Sequence, residues 1–216
     1  MSEPILQLIT PGETSRKLGL ALAQAFQDAP DYTYILSDHP SRTEALEWLF
    51  GSFMARLAFR YGNIHATADG SAGILAFAPG QSPSLHALLS AGILAFPARI
   101  GWKATWRALA LGLSLERRRL RLAPEPHWYL LAVGVAPAKQ GHGIGYNLMT
   151  QAIRRAEIDG LPCYLEVFDE NLVPHYRRRG FEVMDQALLP TGLSLWSMTR
   201  PPSTVPAPTT HSFLYF

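Results

Sequence analysis

An α/β (α+β) sandwich is the fold this sequence predicts, with a mixed central sheet of about seven strands flanked by helices. Three observations carry that expectation. Short apolar runs of strand length alternate with longer segments whose apolar residues recur at helical spacing. One run, His127 to Val135, is too uniformly apolar for a sheet position with one wet face, so both of its faces should be covered. Finally, 216 residues at 48% hydrophobic content suffice for one good core, which fits a single domain over residues 1–200.

The elements follow in order. Ile5 to Ile9 reads as a first strand, and Thr14 to Gln27 as a helix with Leu18, Leu20, Ala21, Ala25 and Phe26 close to one face. The segment DAPDYTYILSDHP interrupts the periodicity and reads as irregular. Ser41 and Glu44 form an S-x-x-E capping box before a second helix that Gly62 ends. NIHATAD and AGILAFAPG flank Gly70-Ser71 as a hairpin closed by Pro79-Gly80. Residues 84–121 form an extra helical segment between the third and fourth strands, with a break expected near Pro97.

After the central strand, Gly145 to Asp159 has Leu148, Met149, Ala152, Ile153 and Ala156 on one helical stripe, with Gly160 as its stop. CYLEVFDE is a strand. NLVPHYRRRG is a short helix capped by Asn171, with Pro174 in its first turn and Gly180 at its end. FEVMDQ and LSLWSMTR complete the strands, and residues 201–216, rich in proline and threonine, read as a flexible tail.

Composition excludes several classes of function. Nineteen basic against 17 acidic residues give a net charge of +2, too balanced for a nucleic-acid binder. A single cysteine, Cys163, rules out an internal disulfide framework, and MSEPILQLITPGE has no leader pattern, so a reducing, cytoplasmic setting is expected. The longest stretch free of charged residues, Gln81 to Ala98, contains His86 and Pro97 and runs straight into Arg99, Lys103 and Arg107. It reads as a buried or lid-forming helix pair rather than a span, with no stable membrane association. No set of His, Cys, Asp or Glu has metal-ligand spacing, so no metal is expected.

The segment with the most chemistry is Gln140-Gly141-His142-Gly143-Ile144-Gly145, between the central strand and the helix that follows. Glycines there let the backbone approach a ligand closely, and a helix start aims free N–H groups outward, which suits an anion. A triphosphate-binding loop needs Gly-Lys-Ser/Thr at its end, where this loop has Gly145-Tyr146. A dinucleotide fingerprint fails in both frames, its last position being Tyr146 or Leu148.

The spacing that does fit is Q-x-x-G-x-G, and it resembles the acyl-CoA-binding motif of the GNAT N-acetyltransferase superfamily. DENLVPHYRRRGFEV is similar to that superfamily's N…Y-x-x-x-G-F segment, with Tyr176 four residues before Gly180-Phe181. Within it, WYLLAVGVAPAKQGHGIG, LEVFDENLVPHYRRRGFEV and WSMTR resemble the puromycin N-acetyltransferase-like group, from about Glu125 to Arg200. The sequence departs from the pattern at His142, where Lys, Arg or Gly is common.

The resemblance implies a GNAT fold and an acetyl-CoA-dependent N-acetyltransferase acting by direct attack in a ternary complex on the primary amine of a small molecule. Its cofactor site would comprise Val133, Val135, Gln140, Gly141, His142, Gly143, Ile144, Gly145, Asn171 and Tyr176, with the Val135 N–H polarising the acetyl carbonyl. Tyr176 is the candidate general acid, because a phenol beside the sulfur can protonate a departing thiolate. Glu166, in phase with Tyr164 and Phe168 on an apolar strand, is the candidate base or else a structural, hydrogen-bonded carboxylate. Tyr32 and Tyr34, with Asp28 and Asp31 beside them, are the candidate acceptor site for a hydrophobic or aromatic amine. His127 and His175 are lesser candidates to assist, and Cys163 as a nucleophile is disfavoured. The protein is expected to work as a monomer or homodimer. Two other readings stay open on the sequence: a non-catalytic acyl-CoA-binding regulatory module, and a protein or peptide N-acetyltransferase.

Overall fold

A computed structural model describes residues 6–8, 12–81 and 85–202. Its strands are β1 Leu6–Leu8, β2 Gly62–Thr67, β3 Ala72–Phe77, β4 Trp128–Val135, β5 Cys163–Val167, β6 Glu182–Leu188 and β7 Ser194–Arg200. They form one seven-stranded sheet in the order β1-β2-β3-β4-β5-β7-β6. Among the described residues, β4 and β5 are parallel and every other neighbouring pair is antiparallel. A parallel pair needs a crossover, and α8, Ile144–Asp159, supplies it.

Helices cover both faces of the sheet, as the apolar central strand requires. On one face lie α1, Glu13–Ala25, and a long helical segment made of α3, Arg42–Trp48, a π-helical stretch, Leu49–Met54, and α4, Ala55–Tyr61. Gly19 of α1 meets Gly51 at the middle of the π stretch, and a Cβ on Gly19 would come within 2.4 Å of the Gly51 Cα. The two helices touch backbone to backbone there. The first helix of this segment starts as its sequence requires, with the Ser41 hydroxyl accepting from the Glu44 N–H at 3.4 Å. On the other face, Leu148, Met149 and Ala156 of α8 pack on Ile74, Leu130 and Leu165.

A bulge in β4 changes which residues face which side. Leu75 of β3 pairs with Ala132 and Ala76 with Leu130, leaving Leu131 as the extra residue. Leu131 and Ala132 therefore both join the core beneath α1, whereas Trp128, Leu130, Val133 and Val135 join the core beneath α8.

Three expectations are corrected. DAPDYTYILSDHP is not irregular throughout: it holds α2, Pro30–Ile35, which an extended Ala29 introduces, with Pro30 in its first turn where the missing N–H costs nothing. The insert between β3 and β4 consists of α5, Leu85–Ala91, a 3₁₀ turn, Ile93–Ala95, α6, Phe96–Ile100, and α7, Trp102–Leu122. Its breaks fall at Gly92 (φ 102°) and Gly101 (φ 81°), while Pro97 sits in the first turn of α6. Finally, Asn171 caps nothing. Asp169 does so, its carboxylate accepting from the Asn171 N–H at 2.9 Å, ahead of a 3₁₀ turn, Glu170–Leu172, and α9, Val173–Arg177.

The charge-free run Gln81 to Ala98, expected as a buried or lid-forming helix pair, buries Ala87, Ala91 and Phe96 and exposes Leu85 and Leu94, and α7 beyond it is likewise two-sided. Ala104, Thr105, Leu111 and Arg119 are buried, but Trp102 and Trp106 are 78% and 75% exposed. No helix among the described residues is long and apolar enough to cross a membrane. Residues 203–216, most of the expected tail, lie outside the described residues, as do Ile5 and Ile9 of the first expected strand.

Candidate functional site

The site begins where the sheet opens. Among the described residues, β4 and β5 are paired at Trp128 with Cys163 and at Tyr129 with Tyr164, and beyond these positions the strands diverge. The Ala136 N–H donates to the Ser71 carbonyl on the β3 side at 2.8 Å. Since N–H groups alternate along an extended strand, those of Val133 and Val135 point the other way, toward the opening. Into this wedge extends a cavity of about 460 Å³, walled by Val133 of β4, Glu166 of β5, Phe168, Asp169, Leu172 and Tyr176 beyond it, Phe26, Tyr32 and Phe53 on the α1 side, and the inner flank of α7.

Glu166 is a carboxylate on that wall held by two phenols. Tyr129 donates to its Oε2 at 2.8 Å and Tyr164 to its Oε1 at 3.0 Å. Burial pushes its pKa up to about 7, although both hydrogen bonds and the Arg119 guanidinium pull it down. The structural reading of this residue, a hydrogen-bonded carboxylate, describes its geometry, and its raised pKa is compatible with the other reading, a base.

Sequence reasoning missed the groups behind it. Arg119 lies 5.3 Å from the centre of the Tyr129 ring and forks onto Glu116 at 2.6–3.0 Å. It also donates to His127 Nε2 at 2.9 Å, which leaves the proton on Nδ1 to bond the Glu125 carbonyl at 2.7 Å. Burial lowers the His127 pKa, so this imidazole is neutral and occupied. A signal for the pair was present: Glu116 and Arg119, three apart, lie on the same side of a helix as Leu111 and Leu115.

Tyr176 lines the cavity, with its ring edge-on to Phe181 at 5.9 Å. Burial raises its pKa, so it holds its proton, and among the described residues its hydroxyl has no hydrogen-bond partner. It is free to donate into the cavity. His175 beside it is also made harder to protonate by burial and by Arg179 and Arg178. Cys163 is buried and its thiol is pushed up to about 12, which removes it as a nucleophile.

The glycine loop continues directly from β4. Gln140 folds it back by donating from Nε2 to the Val135 carbonyl at 3.0 Å. Gly141 and Gly143 have φ of 80° and 76°, which any side chain would strain, and no neighbour lies within 4 Å of a Cβ built on either. Gly143 starts α8 without a side-chain cap, so the first N–H groups, from Ile144 and Gly145 onward, are left to a ligand or to water. His142 is exposed, its ring folded onto the Gln140 carbonyl at 2.8 Å rather than outward. Asn171 is exposed too, held at Nδ2 by Asp169 at 2.9 Å.

The expected acceptor pair is divided. Tyr32 is buried against Phe26 and Phe50 and lines the cavity. Tyr34, two residues on, points elsewhere on α2, under the Arg107 guanidinium at 5.8 Å, and is not part of the cavity wall. Two positions on a helix differ by about 200°, so once this segment is helical the two rings cannot share one site. Besides Tyr32, α2 brings Pro30, Asp31 and Ile35 to the cavity, and burial raises the Asp31 carboxyl to about 6. Asp28 is exposed, 3.9 Å from Arg42.

One apolar cavity thus presents a carboxylate that titrates near 7 and a protonated phenol, and the strand on its wall leads to an anion-ready loop. That combination suits acyl transfer, which needs a proton acceptor for the nucleophile and a proton donor for the leaving group.

Comparison with known proteins bears on the same segments. The family model for the Acetyltransferase (GNAT) family matches residues 101–181, from the start of α7 through Phe181. A Corynebacterium glutamicum structure, described as histone acetyltransferase HPA2 and related acetyltransferase, is 20% identical with a TM-score of 0.69, covering 95% of this chain and all of that one. Arylalkylamine N-acetyltransferase 2 from Aedes aegypti is 12% identical at 0.59, over 94% of this chain and 100% of that chain. The polyamine N-acetyltransferase of Drosophila melanogaster is 14% identical at 0.61, over 92% and 100%. At these identities the likeness is one of fold.

Proposed function

We propose that this GNAT-fold protein is an acetyl-CoA-dependent N-acetyltransferase whose acceptor is the primary amine of a small, hydrophobic or aromatic molecule. The observation that carries the reading is the joining of three features along β4: the wedge, the cavity holding Glu166 and Tyr176, and the glycine loop at the start of α8.

Acetyl-CoA fits this arrangement by the chemistry of its parts. Its pyrophosphate suits the α8 N-terminus and the left-handed glycines, and its amide-bearing arm suits the outward N–H groups of Val133 and Val135. When bound it supplies an activated acetyl thioester. The Val135 N–H, two residues beyond Val133 toward the glycine loop, would polarise the thioester carbonyl. Glu166 takes the proton of the attacking amine, directly or through one water, and Tyr176 gives its proton to the departing sulfur. Tyr129 and Tyr164 hold the Glu166 carboxylate in place throughout. Cys163 is buried with its thiol pushed up to about 12, which disfavours an acyl-enzyme and supports direct passage of the acetyl group to the amine within a ternary complex.

The acceptor reading rests on the walls. Phe26, Tyr32, Phe53, Leu111 and Leu115 give the cavity an apolar lining, and Asp31 adds one carboxyl that can meet a cation. This agrees with the sequence resemblance to the puromycin N-acetyltransferase-like group, and with the arylalkylamine activity named for one of the similar structures. A regulatory acyl-CoA-binding module would have no use for a base and an acid on one wall. The test is release of free thiol from acetyl-CoA across a panel of amines, with Glu166→Gln and Tyr176→Phe as controls. Turnover of arylalkylamines or aminoacyl nucleosides is expected. Binding of acetyl-CoA with no turnover of any amine would leave the module reading standing instead.

A further inference from the structure

We propose that the exposed side of α7 is a docking surface for an anionic lipid bilayer, on which the protein rests reversibly with α7 in the plane of the headgroups. Five large apolar side chains leave the core there. Trp102, Trp106, Leu109, Leu113 and Leu120 are 78%, 75%, 36%, 58% and 53% exposed. At helical spacing they fall within an arc of about 60° and form a stripe about 27 Å long. The opposite side of the same helix, with Ala104 and Leu111, is buried, so the fold does not need the stripe. An apolar run of this length on a surface marks a binding site.

Charge identifies the occupant. Residues 85–122 contain seven of the chain's 19 lysines and arginines but one of its 17 acidic residues, Glu116, which Arg119 holds. The remainder of the chain is correspondingly acidic. Lys103, Arg117 and Arg121 follow one flank of the stripe by helical spacing, and all three are exposed. Among the described residues Lys103 and Arg117 have no ion-pair partner, and Arg121 reaches Asp185 only at 4.0 Å. Tryptophan and leucine on one side with basic residues beside them is the pattern of a helix lying in an anionic interface, where indole rings sit at headgroup level. A second copy of the chain fits worse. Antiparallel pairing of two stripes brings Lys103 toward Arg117 and Arg121 of the other copy, and parallel pairing sets like on like. The basic flank repels itself and attracts acidic lipid.

The placement has a functional correlate, which rests on the acceptor reading above. Leu109 and Leu113 belong both to the stripe and to the cavity wall, so a bilayer on α7 lies beside the cavity. Apolar amines dissolved in lipid would then be at hand.

The proposal is tested by sedimenting the full chain with phosphatidylcholine vesicles and with vesicles of phosphatidylcholine and phosphatidylglycerol, without any acetylation assay. Co-sedimentation is expected with the anionic vesicles, with loss as salt shortens the reach of charge, and with quenching of tryptophan emission by brominated lipid. Trp102→Ser with Trp106→Ser, and separately Lys103→Glu with Arg117→Glu, should each weaken partitioning at least about tenfold. Unchanged thermal midpoints in both variants keep loss of binding distinct from loss of fold. Wild-type protein that stays in the supernatant with anionic vesicles would overturn the proposal. So would a concentration-dependent dimer that the double tryptophan variant dissolves.

Discussion

Glu166, the proposed base, has its carboxyl raised to about 7, so the fraction able to accept a proton should fall as pH drops through that value, and the rate should show it. As pH falls through about 7 the carboxylate gains a proton and kcat/KM for the amine should drop, before the ordinary carboxylate range is reached. Glu166→Gln should lower kcat/KM and remove that limb, which a pH–rate series would reveal; an unchanged limb would make the residue structural. Tyr176→Phe removes only the hydroxyl proposed to protonate the leaving thiolate. A fall in kcat of about 10²-fold or more is expected, with the acetyl-CoA dissociation constant nearly unmoved in calorimetry. Residues of this kind were legible because their surroundings contradict them: a carboxylate in phase with Tyr164 and Phe168 needs a reason. The spacing of Glu116 and Arg119 hinted at their pairing, but their place behind Glu166, like that of Tyr129, was not legible, because it depends on α7 crossing the mouth of the wedge, a contact made across the fold. Tyr34 failed for a local reason, since one unrecognised helical turn rotates it away from Tyr32.

Elements report on packing and on the loop. Gly19→Ala would drive a methyl into the Gly51 backbone, and neither helix has a side chain there that can yield. A loss of roughly 1–3 kcal/mol is expected, read as a thermal midpoint lower by several degrees. Gly143→Val acts differently: space around it is open, but its φ of 76° strains any side chain, and the proposed acetyl-CoA site needs the backbone bare there. Calorimetry should find acetyl-CoA binding abolished while the fold largely persists; wild-type affinity would remove the cofactor from this loop. Helices and strands themselves were readable from periodicity and from glycine stops, as β4 and α8 show. Short elements were less so. α2 and α6 are too brief for a periodic signal, and both carry a proline in the first turn that resembles a break.

At the scale of the molecule, the order of strands could not be read from the sequence, since it rests on pairings between distant segments. That order has a mechanical meaning. With β4 and β5 held at two residue pairs among the described residues, the sheet divides into a leaf of four strands and a leaf of three, strapped together by α8. A guest seated in the wedge bridges both leaves and does the work of the absent rungs. Acetyl-CoA should therefore act as a clasp as well as a reactant: at about 100 times its dissociation constant it should add about 2.7 kcal/mol to unfolding. Amide exchange should slow most at Val133, Val135 and Leu165 to Val167, along the two lips of the opening. Uniform slowing across the sheet, with no excess at the lips, would show that the leaves were already locked.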